Sequence, residues 1–196
     1  YHFHERDLVN IGRLGRRWFG EQFGIQNNYS FTFNIPNIDN SEPIQAQVRM
    51  ASAATSSTSL AIRANGTEVA NATLVGTGTV SPPYYVDTPI NFTINAQSNI
   101  DLHLAFTNNG VPNARVFLDF ITLRAKRFLA GGNQQYHIQS QQLDSGNSVV
   151  QMNFQNTQNL IDIWDISDIY NVSAIAINGN SSFGFKAIQG QGKRFV

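Results

Sequence analysis

Between residues 29 and 125, apolar and polar side chains alternate with period two, segment after segment. The pattern fits β-strands that bury one face and wet the other. Tyr29, Phe31, Phe33 and Ile35 form one such row. Ile44, Ala46, Val48 and Met50 form a second, and Leu60, Ile62 and Ala64 a third. Ile90, Phe92, Ile94 and Ala96 follow, then Ile100, Leu102, Leu104 and Phe106. Residues 114–125 break the alternation. Val116, Phe117, Leu118, Phe120, Ile121 and Leu123 make both faces apolar, which predicts a central strand covered on both sides. Weaker segments near 69–74 and 84–86 bring the expectation to about eight strands.

The connections carry turn chemistry. Asn65-Gly66 is the type I′ hairpin pair, since both residues tolerate positive φ. Asn108-Asn109-Gly110 and Ser81-Pro82-Pro83 break the chain elsewhere. Short, evenly spaced strands with polar turns predict an all-β fold, a jelly-roll-like sandwich. Ala130-Gly131-Gly132-Asn133-Gln134 marks a boundary. Beyond it, strands are expected at 136–139, 149–154, 160–166, 172–177 and 183–188. The expected division is a sandwich over 1–128, with a clasp segment at 1–24, and a small β subdomain over 129–196. That subdomain is small for independent folding and is expected to pack on the sandwich or on something downstream. Glu5–Leu14 is a weak helix candidate, and no internal repeat is evident.

Composition narrows the function classes. Thirteen Lys and Arg balance thirteen Asp and Glu, so no basic field points to nucleic acid. No apolar run approaches the roughly 18 residues of a membrane span. The chain has no cysteine, which removes disulfides, thiolate zinc sites and a cysteine nucleophile together. It opens on Tyr1 rather than Met, which reads as a piece of a longer protein.

Residues 1–24 stand apart from the β background. They hold four arginines, three acids, two histidines, a tryptophan and four glycines. Arg16, Arg17 and Trp18 could form a carbohydrate or peptide platform, arginine stacking on tryptophan. Alternatively, Trp18 and Phe19 plug a gap against the sandwich while Glu21 pairs with an arginine. The glycines at 12, 15, 20 and 24 suit a tightly folded loop.

The remaining candidates read as structure. His2 and His4 share a strand face but lack an evident third metal ligand. Asp162 and Asp165 would point to opposite faces of one strand, and Asp165 and Asp168 fit a turn through Ser167. No nucleophile elbow accompanies His103 and His137, both of which lie in strand patterns. The six Asn-x-Ser/Thr sequons, at Asn28, Asn65, Asn71, Asn91, Asn171 and Asn180, arise easily in an asparagine-rich chain. No catalytic residue, metal or cofactor is expected.

Glu5-x-Asp7 followed by Gly15-Arg-Arg-Trp-Phe-Gly-Glu-Gln-Phe23 resembles the opening module of PorU-type sortases of the type IX secretion system. Leu14 stands where that family commonly has serine. Phe31-Thr-Phe-Asn-Ile-Pro36, Leu118-Asp-Phe-Ile121 with Arg127, and Ile163-Trp-Asp-Ile-Ser-Asp168 match in order. In the last run Ile169-Tyr170 replaces the family's proline region, and Trp164 joins the interface candidates.

The resemblance implies a gingipain-like cysteine peptidase at the bacterial outer membrane or cell surface. Such a protein removes C-terminal secretion signals from cargo and helps attach the cargo to the surface. Its catalytic His and Cys would lie after Val196, so none carries over. This chain is then expected to be the non-catalytic N-terminal β module. Its implied partners are a downstream peptidase domain, secretion-system proteins and cargo signal domains. A jelly-roll carbohydrate-binding module using Trp18, Tyr84 or Tyr85 is the other reading.

Overall fold

A computed structural model describes all of the chain except residues 14, 80–83, 133–134, 136, 139–140, 145, 178 and 191. The chain divides into two compact units, Tyr1–Lys126 and Arg127–Val196.

In the first unit, β1 (His2–Glu5), β2 (Gln22–Phe23), β4 (Ile44–Ser52), β7 (Val86–Ile94) and β9 (Val116–Arg124) form one antiparallel sheet. The second sheet holds β3 (Asn28–Asn34), β5 (Thr58–Ala64), β6 (Thr67–Leu74) and β8 (Asn99–Thr107). The first sheet runs β1-β9-β4-β7 with β2 also on β9, and the second runs β3-β8-β5-β6, a five-stranded and a four-stranded sheet in a jelly-roll arrangement. β1 adds to the same edge of β9 as β2. It pairs with Phe120–Leu123, while β2 pairs with Val116–Phe117.

The alternating rows supply the core. Ile44, Val48 and Met50 face Leu60, Ile62, Ile100, Leu102 and Leu104, each buried. Val116, Leu118, Ile121 and Leu123 enter the same core from β9. Burying each such side chain contributes roughly 1.5–3 kcal/mol.

In the first unit two sequence expectations change. Residues 84–86 do not form a separate strand, because β7 runs unbroken from Val86, and among the described residues seven strands span 28–124. Among its described residues, the helix candidate at 5–14 is instead the end of β1 followed by irregular chain and a 3-10 turn at Ile11–Arg13. Gly12 breaks that turn at φ 69°, and a Cβ there would come within 2.8 Å of the Tyr84 ring. The Asn65-Gly66 turn has positive φ at both residues, 50° and 81°. Residues 81–83 lie outside the described residues.

In the second unit, β10 (Val149–Gln155) pairs with β13 (Ser182–Ile188), and β11 (Ile163–Asp165) pairs with β12 (Ser173–Ile175). Leu143, Met152, Phe154, Ile163, Ala187 and Phe195 are buried together with Ile138. β11 and β12 are shorter than their sequence patterns suggest. A 3-10 turn occupies Thr157–Asn159, and a one-turn helix at Gln141–Asp144 had no sequence signal. His137 lies outside any strand, whereas His103 sits in β8. Part of the segment expected at 136–139 lies outside the described residues. Among them, no helix is long and apolar enough to cross a membrane.

Candidate interface: the N-terminal strap

The described residues of the segment 6–21 leave the sheet edge after β1, cross the outer face of the β9 sheet, and return to the edge as β2. The excursion is a closed loop. Phe19 N–H donates to Val9 O (2.8 Å), and the Leu8 and Val9 N–H groups donate to Phe19 O (2.8 and 2.9 Å). Asn10 Nδ2 ties the turn by donating to Gly15 O (3.1 Å) and Arg17 O (3.2 Å). The loop is then stitched to β9, with Gly20 N–H donating to Leu118 O (2.7 Å) and Leu118 N–H to Glu21 O (2.9 Å). Gly20 permits this approach, since a Cβ there would lie 3.2 Å from Arg6 O.

Phe19, 1% exposed, seals a second small core with Ala51 and Phe117; Val9, Ile11, Ala53 and Tyr85 pack around it. The Tyr85 ring meets Phe19 edge-on, with centroids 5.0 Å apart. This lid explains why β9 is apolar on both faces. One face joins the main core; on the other, the strap covers Phe117, while Phe120 packs against Phe3 of β1.

Charge placement on this face follows from a β-bulge. Arg49 pairs with Phe120 and Met50 with Leu118, leaving Asp119 as the extra residue. Arg17 Nη1 donates to Asp87 Oδ2 (2.5 Å), and Arg17 Nη2 to Asp119 Oδ2 (2.6 Å). Arg49 Nη2 donates to Asp87 Oδ2 at 3.2 Å, and its Nε lies 3.5 Å from Asp119 Oδ2. Two cations and two anions alternate around a closed set. Burial disfavours the Arg17 charge, but the bonds to Asp87 and Asp119 outweigh it and hold the guanidinium above its usual range. The guanidinium carbon also sits over Phe19 (5.1 Å) and Tyr85 (5.7 Å).

Glu21 forms a second tie. It is buried, with His4 Nε2 3.2 Å and Arg6 Nη1 3.5 Å from its Oε1. The His4 ring also rests against Phe31, with centroids 4.6 Å apart. His4 thus holds β1 to the strap and to the facing sheet.

The structure separates the sequence candidates. Arg17 and Glu21 are bonded into the strap, whereas Arg16 is exposed. Trp18 is 45% exposed and does not plug the sandwich; Phe19 does. Trp164 lies in the second unit, on the exposed face of β11. Asp165 and Asp168 serve turns. Asp165 Oδ1 accepts from Ser167 N–H (2.9 Å) and Asp168 Oδ1 from Tyr170 N–H (2.9 Å). Burial alone would raise the Asp165 carboxyl, but the Ser167 bonds and Lys193, 3.1 Å away, hold it below its usual range. The aspartates at 87 and 119 had no sequence signal, because only the bulge and the strap bring them together. Among the described residues, no cluster of His, Cys, Asp and Glu could hold a metal.

These features define an all-β jelly-roll module, closed by its own N-terminal strap, with a smaller β unit following it. Such an architecture matches a segment of dimeric latent PorU from Porphyromonas gingivalis. The TM-score is 0.82 at 16% identity, over 99% of this chain and 19% of that one. The chain therefore has a PorU-type fold along nearly its whole length, and it spans about a fifth of that protein.

Partial likenesses are also found to the carbohydrate-binding module CBM36 crystallised with calcium and xylotriose, and to the CBM36-1 domain of a multidomain xylanase from the hindgut metagenome of Trinervitermes trinervoides. The first has TM-score 0.43 and 15% identity, over 63% of this chain and all of that one. The second has TM-score 0.42 and 12% identity, over 61% and 89%. No protein-family model and no curated protein matches the chain.

Proposed function

We propose that this chain is a non-catalytic β module of a type IX secretion sortase, acting outside the cytoplasm at the cell surface. In this reading it supports a cysteine-peptidase domain of the same polypeptide, or presents cargo and translocon partners to it. The observation that carries the reading is the agreement of fold with PorU over 99% of the chain. It is supported by the roles found for the residues of the resembling runs. Arg17, Phe19, Gly20 and Glu21 build the strap, Leu118 and Asp119 receive it, and Asp165, Ser167 and Asp168 form a turn. A chain without cysteine supplies no thiolate, so the peptidase chemistry is assigned to sequence beyond this module.

The carbohydrate reading draws less support. Tyr85 is packed on Phe19 and Arg17 rather than free to stack on a sugar. The test is to compare this 196-residue protein with the longer native polypeptide on a cargo protein bearing its C-terminal signal. Signal removal by the longer chain alone, lost on deletion of residues 1–126, supports the proposal. Hydrolysis by the 196-residue protein itself overturns it.

A further inference from the structure

The second unit carries an unexplained apolar surface. On and around the β11–β12 hairpin, Ile161 is 89% exposed, Ile169 73% and Tyr170 94%, with Trp164 and Val172 also exposed. Five large apolar residues exposed within twelve positions of one hairpin are the kind of surface that marks an interaction site. The hairpin is also thinly supported, for its inner face contributes only Ile163 and Ile175 to the unit's core.

The last residues of the chain lie against this hairpin. Val196 N–H donates to Trp164 O (3.0 Å), Trp164 N–H donates to Val196 O (2.8 Å), and Ile166 N–H donates to Arg194 O (3.0 Å). Phe195 bridges Asp165 in antiparallel sense. Polypeptide continuing from Val196 in that register passes Asp162 and reaches Ile161, the near end of the patch. Residues just past Val196 can cover that end, whereas Ile169 and Tyr170 lie beyond the opposite end of β11, out of reach of the same short segment.

We propose that the β11–β12 hairpin is the docking surface for the domain that follows Val196 in the same polypeptide, with Trp164 and Tyr170 as its anchors. The inference rests on the reading that this module belongs to a longer sortase chain. It adds the surface through which the two parts touch.

Trp18 and Trp164 are the two tryptophans, so Trp18→Phe leaves Trp164 as the sole indole. Acrylamide quenching of that fluorescence is compared in the 196-residue protein and in the native polypeptide extended past Val196. Docking of an aromatic anchor should lower the quenching constant about threefold or more in the extended chain. Tyr170→Asp should restore much of the access without unfolding either part. Equal quenching in the two proteins, with the downstream domain folded and active on cargo, overturns the docking surface and leaves the functional proposal standing. A native polypeptide with no folded domain after Val196 overturns both. Shielding that instead appears in the 196-residue protein as its concentration rises assigns the patch to a second copy and also overturns the inference.

Discussion

Arg17 Nη2 lies 2.6 Å from Asp119 Oδ2, joining the strap to the bulged residue of β9 across 102 positions of sequence. The partners belong to two separate runs, Gly15–Phe23 and Leu118–Ile121, that carry the sortase resemblance. Their contact gives both runs a structural meaning. The strap's arginine and the bulge's aspartate form one device.

Removing Arg17 should expose the dependence. Asp119 is buried and would keep only the longer contact to Arg49 Nε, so Arg17→Ala should destabilise the first unit by about 2–3 kcal/mol. Arg17→Ala/Asp119→Ala should cost less than the sum of the single changes, since neither charge is then left alone. Urea unfolding of the four proteins in a double-mutant cycle measures this coupling.

Phe19 is the apolar half of the clasp. Phe19→Ala should cost about 3–4 kcal/mol through the cavity left beside Phe117 and Ala51. Trp18→Ala, at a half-exposed neighbour, should change stability by less than about 1 kcal/mol. Thermal unfolding of the pair separates the plug from the bystander.

Gly12 couples a left-handed backbone to a close ring. Gly12→Ala places a methyl against Tyr84 at φ 69° and should cost about 1–2 kcal/mol. Gly15→Ala, with open space at a similar φ, should cost less. Denaturant midpoints of the two variants compare the clash with the backbone strain.

Acid should loosen the second unit through Asp165. Its carboxyl is held below the ordinary value by Ser167 and Lys193. The stabilisation is therefore present above the ordinary carboxylate range and lost as pH falls through the lowered folded value. The ΔG difference between the native protein and Asp165→Asn, from urea unfolding at successive pH values, should be flat near neutrality and shrink below about pH 4.

Period-two alternation marked out the sandwich because each strand's inward row is a local signal. Tyr29 to Ile35 and Ile100 to Phe106 needed no knowledge of their partners. The strap was visible as an anomaly, but its contacts were not. Trp18 resembled a plug because tryptophan is the larger ring, yet the Val9–Phe19 bridge turns Phe19 inward and leaves Trp18 half exposed. Asp87 and Asp119 escaped notice because a bulge created by pairing with β4 has no trace in β9's own sequence. In the second unit, Leu160–Ile166 read as one long strand. The 3-10 turn at Thr157–Asn159 and the Asp165–Ser167 turn leave only three residues paired in β11.

Native-state hydrogen exchange of the Phe19 and Gly20 amides tests most directly whether residues 1–24 are part of the sandwich. Those N–H groups donate to Val9 O and Leu118 O. Exchange as slow as that of Val48 and Ile121 in the central strands is the predicted result, because the strap then opens only when the unit unfolds. Exchange near the rate of an unfolded chain, with β4 and β9 still protected, would show a strap that detaches on its own and would contradict the account.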